Sequence, residues 1–346
     1  LQIDGAVMID GIWDNIAHWL RYAVVRNALG LAHNQEVMVL GQHNRQRGRN
    51  IVRAWGMSGT YSFSRQTGDR AKARRDAMAL LDRLETGTDV LTASWPGGVP
   101  GDVIYDDLLR RQRASTLDLA HPRMLTWVSE FCLAVQRAEV MFETNKIGLV
   151  VLSHIFPLQH AAIACAAIAR GIPVILIYSG VGTFRAIRVN ETNSFYRYSN
   201  LPDVADLVAW SPQKHEQLRA VGRVHLSNRV AGNATDLGAV YAFSEESKRL
   251  TRAQMCERFG WPTARPIIAI YTSQWFDTPH AYGMKNFRDF LDWTEVTLET
   301  IRSNTEASWL IKPHPIEKWY GGIGLRDVVQ EPLPGHMGIA DEWHGS

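Results

Sequence analysis

Two stretches of the chain switch from continuous apolar runs to helical periodicity and back. The first reads IGLVVLSH, then PLQHAAIACAAIARG, then IPVILIY: apolar strand, alanine-rich helix ending at Gly171, apolar strand. Strands that are hydrophobic at every position belong to a parallel sheet covered on both faces, so the run predicts a βαβ unit. A second such unit goes from ARPIIAIYTSQW through MKNFRDFLDWTEVTLETIRSN to ASWLIKPHP. Near the start, Ile12, Ile16, Trp19, Leu20 and Val24 stand at helical spacing, with Asp14 placed to cap that helix. The short run EVMVLG predicts a strand after it. A basic helix is predicted over 69–84, followed by DVLTASW and the loop PGGVPGD. A long amphipathic helix is predicted in LDLAHPRMLTWVSEFCLAVQRAEVMFETN, starting near His121-Pro122 because proline favours a first turn. Between the two βαβ units, roughly over 190–247, the pattern is irregular except for one short apolar strand, DLVAW.

These elements make the chain α/β: two Rossmann-like parallel-sheet domains facing a cleft, with boundaries at 1–240 and 241–346. A length of 346 residues exceeds what one core usually organises. The hydrophobic fraction of 46% is that of a globular protein, and no run of about eighteen apolar residues is present to span a bilayer. A formal charge of +2 gives no argument for nucleic acid as a partner. The cluster Arg45, Arg47, Arg49, Arg53, Arg65, Arg70, Lys72, Arg74 and Arg75 is read as a solvated face. Cys132, Cys165 and Cys256 lie far apart in apolar helical patterns, which fits buried free thiols and a cytoplasmic location; no secretory signal is read at the start. Of the twelve tryptophans, Trp13, Trp55, Trp95 and Trp275 fall near predicted loops, where packing rather than sugar stacking is expected for most.

In open parallel sheets ligands bind beyond the carboxyl ends of the strands. Three such ends are Ser153-His154, Thr272-Ser273-Gln274-Trp275 and Lys312-Pro313-His314-Pro315. Hydroxyl, amide and imidazole groups beside an ammonium suit a phosphate ester, with Lys312, His314, Ser273 and Gln274 as donor-binding candidates. The prolines flanking His314 restrict the backbone and hold the imidazole where the strand leaves it. No G-x-x-x-x-G-K-[ST] loop is present, and GVGTFRA lacks the G-x-G-x-x-G spacing. His154 and His160 are six apart, unlike the zinc-binding HExxH pattern, so neither a metal nor a cofactor is expected.

The Lys312-Pro313-His314-Pro315 run after an apolar strand resembles the HP motif of GT-B glycosyltransferases that build bacterial surface polysaccharides. That group includes capsule and O-antigen Kdo transferases, bacterial sialyltransferases and the related teichoic-acid polymerases. The segments IDGIWDNIAHWLRY, GDVIYDDLLR, SHIFPLQHAAIACAAIARGIPV and ADEWHGS also resemble capsule-type transferases, so the likeness extends over most of the chain. It implies a GT-B fold and transfer of a sugar, first of all Kdo or a related acidic sugar from a CMP donor, to a surface polysaccharide or glycolipid. The partners implied are a nucleotide sugar and a glycan or glycolipid acceptor, with room for peripheral association at the inner membrane. The resemblance gives His314 and Pro315 a contact to the donor phosphate and matches a downstream Ser/Thr motif at Gly345 and Ser346. It also implies that the carboxyl-terminal domain is incomplete here and continues beyond Ser346.

Transfer further needs a group to deprotonate the acceptor hydroxyl. Asp14 and His154 are the leading catalytic candidates, ranked level, with Asp106 and Asp107 of YDDLLR behind them. Same-fold alternatives are polyol-phosphate transfer and epimerisation of a UDP-sugar. The non-enzymatic alternative is a glycan-binding assembly component.

Overall fold

The computed structural model describes residues 3–12, 16–30, 35–41, 45–156, 158–180, 183–189, 204–231, 233, 250–281, 284, 286–314, 317, 323–329 and 332–340. The chain divides into two compact units. Unit 1 holds 1–112, 117–200 and 278–285; unit 2 holds 113–116, 201–277 and 286–346. The expected domain boundary at 240 lies outside the described residues.

Unit 1 is built on β1 (Ala6–Gly11), α1 (Ile16–Leu29), β2 (Glu36–Leu40), α2 (Arg45–Trp55), β3 (Gly59–Ser62), α3 (Arg70–Leu81), α4 (Gly87–Thr92), α5 (Gly101–Gln112), α6 (Met124–Thr144), β4 (Ile147–Leu152), α7 (Leu158–Ala169), β5 (Val174–Gly180) and β6 (Thr183–Val189). The strand order is β3-β2-β1-β4-β5-β6, with the first five parallel and β6 antiparallel to β5. Successive strands run outward from β1 on one side and restart with β4 on the other, so the order reverses between β1 and β4. That is where a doubly wound sheet opens a crevice at its carboxyl edge. Val7, Ile9, Met38, Leu40, Leu149 and Val151 form a core with Tyr22 and Val25 of α1 and Val52 of α2. Glu36 is fully buried at the start of β2, where it accepts from the Tyr22 hydroxyl at 2.7 Å and pairs with Arg26 at 2.9 Å. Gly171, at φ +69°, ends the α7 turn in the left-handed region that glycine adopts without strain.

Unit 2 contains α8 (Val204–Val208), α9 (Pro212–Val230), α10 (Arg252–Phe259), β7 (Ile267–Tyr271), α11 (Phe290–Ser303), β8 (Ser308–Lys312), α12 (Leu325–Val328) and β9 (Met337–Ile339). Its sheet is parallel in the order β7-β8-β9. Cys256, Trp261, Leu310 and Ala340 form its buried centre. The edge strand β7 leaves Ile268 and Tyr271 exposed.

Both βαβ units fold as the apolar runs predict, and the α/β class with two parallel sheets is observed. Four expectations change. The segment Ala6–Gly11 is a strand that the periodicity reading passed over. β6 adds an antiparallel edge to the first sheet. DLVAW is not a strand: Val204–Val208 is a helical turn in which the Ala209 N–H donates to Ala205 O at 3.1 Å. Among the described residues no strand pairs with these five, and their backbone is satisfied locally. The stretch read as irregular also contains α9, capped by Ser211, whose hydroxyl accepts from Lys214 N–H at 3.3 Å. None of its residues is buried: Leu218, Val221, Val224, Leu226 and Val230 are all exposed, so its apolar positions do not mark a face covered by a core.

The long helix α6 starts three residues after His121. There the His121 ring nitrogen Nδ1 accepts the Arg123 N–H at 3.2 Å in a turn ahead of the helix. All three cysteines are buried free thiols, and burial pushes the Cys165 thiol up to about 12. Trp95 is buried and donates to Val90 O at 2.9 Å, and Trp55 stacks on Tyr22; both pack. Trp13 lies outside the described residues. Among the described residues no helix is long and apolar enough to cross a membrane.

Candidate functional site

At the carboxyl ends of β1 and β4, where the strand order reverses, polar side chains that sequence distance separates widely are brought together. Asp10 ends β1 and is completely buried. Its Oδ1 accepts the Ile12 N–H at 2.9 Å. Its Oδ2 accepts the Ser153 N–H at 3.2 Å, the Ser153 hydroxyl in a short bond, and His160 Nε2 of α7 at 3.0 Å. Ser153 Oγ in turn lies 2.9 Å from His154 Nδ1. Gly11 follows Asp10 because β2 runs so close: a Cβ there would come within 2.6 Å of Met38 Cγ and 2.8 Å of Val39 O.

A carboxylate out of water is costly unless donors converge on it. Burial pushes the Asp10 carboxyl up, but the His160 charge and hydrogen bond, His18 and the Ser153 hydroxyl outweigh that and hold it well below the usual carboxylate range. His154 is half-buried in a T-shaped contact with Phe156, over which Arg110 lies at 5.7 Å. Burial, reinforced by His160, His18 and Arg110 and opposed by Asp10, pulls His154 down to about 4, so its imidazole is neutral at neutral pH. His18 of α1 is 2% exposed, and among the described residues neither of its ring nitrogens has a hydrogen-bond partner. Burial lowers its pKa too, against the pull of Asp10.

Of the two leading catalytic candidates, His154 therefore stands in a polar cluster at the switch point, and Asp14 lies outside the described residues. Asp106 and Asp107 have structural partners. Asp106 accepts from His280 Nδ1 at 2.7 Å, from the His280 N–H at 3.3 Å and from the Ala281 N–H at 2.9 Å, tying segment 278–285 to α5. Asp107 pairs with Arg111 at 2.5 Å and accepts the first N–H of α7, from Leu158, at 3.3 Å. The sequence reading passed over Asp10 and His18 and considered His160 only as a zinc ligand. One signal was present for Asp10, an acidic residue directly after four apolar ones.

In unit 2 the ends of β7 and β8 lie side by side, with Tyr271 paired to Lys312. Thr272 extends the pairing, donating its N–H to Lys312 O at 2.9 Å and its hydroxyl to the same oxygen at 3.3 Å. Ser273 and Gln274 follow at once; Gln274 is 5% exposed, and its Oε1 has no hydrogen-bond partner among the described residues. The Lys312 ammonium lies 5.6 Å from the Tyr271 ring centroid, and burial lowers its pKa. His314 is exposed at the rim; partial desolvation lowers its pKa and Asp277 opposes the shift. Trp275 is held by its indole N–H on Ile323 O at 2.7 Å, which fixes the loop after β7. Lys312, His314, Ser273 and Gln274 thus share one sheet edge, whereas Pro315, Gly345 and Ser346 lie outside the described residues.

Among the described residues no group of three or more His, Cys, Asp or Glu is placed to hold a metal ion. No protein-family model, curated protein or solved structure matches the chain.

Proposed function

We propose that the chain is a nucleotide-sugar-dependent glycosyltransferase of the GT-B type. In this reading it moves Kdo or a related acidic sugar from a CMP donor to a bacterial surface polysaccharide or glycolipid. The observation that carries the reading is the shared carboxyl edge of β7 and β8, where the Thr272 bonds to Lys312 O bring Ser273, Gln274, Lys312 and His314 to one place. Hydroxyl, amide, imidazole and ammonium donors there would hold the donor phosphate and stabilise the charge it gains as the glycosidic bond breaks. The acceptor hydroxyl attacks the sugar, and its proton passes to a base, for which His154 is the described candidate. A nucleotide donor places the proposed reaction in the cytoplasm, at the inner membrane if the acceptor is a glycolipid.

Calorimetric titration of CMP, CDP and UDP tests this reading. Saturable binding of one nucleotide is expected, whereas a glycan-binding module would ignore all three. Lys312 acts through charge, so Lys312→Met is expected to weaken the nucleotide roughly 10–100-fold, the cost of a lost hydrogen bond to a charged group. Lys312→Arg should lose less, and added salt should narrow the gap between wild type and Lys312→Met. Equal nucleotide affinity in wild type and Lys312→Met would make the lysine structural.

A further inference from the structure

Among the described residues Asp10 accepts the Ile12 N–H, the Ser153 N–H and the Ser153 hydroxyl, and His160 Nε2 lies 3.0 Å from its Oδ2. A carboxyl group surrounded in this way is ionised, and an ionised carboxylate can only accept. The single hydroxyl proton of Ser153 is therefore committed to Asp10. Ser153 Oγ also lies 2.9 Å from His154 Nδ1, and with its proton spent it can serve that contact only as acceptor. The proton between them must then belong to the imidazole. We infer that Asp10 and Ser153 form a hydrogen-bonded relay that holds His154 as the Nδ1–H tautomer, the form whose lone pair is on Nε2.

The relay gives two buried residues a positioning role. An imidazole free in water prefers its proton on Nε2, and in that form Nε2 cannot take a proton from an acceptor hydroxyl. Which ring nitrogen carries the proton is set by the hydrogen bond the other nitrogen makes. Here the bond at Nδ1 is backed by a buried negative charge, so it also stabilises the imidazolium that forms once Nε2 is protonated. During transfer the acceptor O–H bond breaks, its electron pair forms the new bond to the sugar, and its proton moves to Nε2. Nδ1 keeps its own proton and Asp10 stays ionised throughout. Among the described residues, the charged and titratable groups facing His154 are Asp10 on β1, His18 on α1, His160 on α7 and Arg110 on α5. Three of them oppose a positive charge, and the relay from Asp10 is the counterweight.

The catalytic meaning of the relay rests on the proposed transferase reading; the tautomer does not, so the two can fail separately. Nitrogen NMR of the full chain labelled at histidine reads the tautomer without any substrate, with the His154 signals assigned by their loss in His154→Gln. At neutral pH the wild type is expected to show a neutral His154 protonated at Nδ1. Ser153→Ala should shift His154 toward Nε2–H, and Ser153→Thr, which keeps the hydroxyl, should restore the wild-type pattern. A wild-type His154 protonated at Nε2, or a tautomer unchanged in Ser153→Ala, would overturn the relay. Where transfer is measurable, Ser153→Ala should lower turnover roughly 10²-fold with rescue by Ser153→Thr. A correct tautomer shift without nucleotide binding by the wild type would sink the transferase reading and leave the relay standing.

Discussion

His154→Ala is expected to slow the proposed sugar transfer by roughly 10²–10⁴-fold while leaving nucleotide affinity unchanged, the signature of a lost acid–base group. The two readouts address different groups. His154 is in unit 1, at the end of β4, whereas the proposed phosphate contacts belong to the β7–β8 edge of unit 2. Because burial and the neighbouring histidines pull His154 down to about 4, the residue stays a neutral base across the physiological range, and the acid limb of kcat/KM should fall near that value rather than near the ordinary histidine value. The same shift bears on stability. The unfolded chain binds a proton at this residue below its ordinary value and the folded chain does so only near 4, so this contribution is complete above that ordinary value and declines as pH falls between the two. Loss of nucleotide binding in step with turnover would assign His154 to the donor instead.

Asp106→Ala is expected to destabilise the fold by about 3–5 kcal/mol, the range for breaking a buried pair by removing one partner. The carboxylate is 2% exposed and takes three donors: the His280 ring, the His280 N–H and the Ala281 N–H. Burial pushes Asp106 above its ordinary pKa despite those donors, so the net worth of the pair is modest. The cost of truncation comes from leaving the donors buried and unpaired. Asp106→Asn keeps one acceptor oxygen and should lose less. His280→Ala leaves both backbone donors satisfied, apart from the side chain it removes, and should also lose less. Denaturant midpoints for the three variants give the ranking directly, and an unchanged midpoint for Asp106→Ala would contradict the structural assignment.

The parts of the fold legible in the sequence are those where burial leaves a local trace. IGLVVL and IPVILIY read as strands because both faces are covered, and Gly171 marks the end of the helix between them. β1 was not legible: Ala6, Val7, Met8 and Ile9 run, after only Asp10 and Gly11, into the helical spacing of Ile12, Ile16 and Trp19, which hides the strand. α9 was missed for the opposite reason, because a helix with no buried residue needs no apolar face. The candidate site divides in the same way. His154, Lys312 and His314 follow apolar runs and could be named from strand ends alone. Asp10 also follows four apolar residues, but its role depends on β1 lying beside β4, and its partner Ser153 is 143 residues away. Asp106 and Asp107 looked like chemistry because two carboxylates stood together; their partners, His280 and Ala281 on one side and Arg111 and Leu158 on the other, show two anchors.

Titration of CMP against cytidine, into wild type and into His314→Ala, addresses the phosphate site most directly. CMP is expected to bind wild type roughly 10–100-fold more tightly than cytidine, because only the nucleotide offers phosphate oxygens to Lys312, His314 and Ser273. In His314→Ala that advantage should shrink while cytidine binding is unchanged. Equal affinity of wild type for CMP and cytidine, or a CMP advantage that survives intact in His314→Ala, would contradict a phosphate site at the carboxyl edge of β7 and β8.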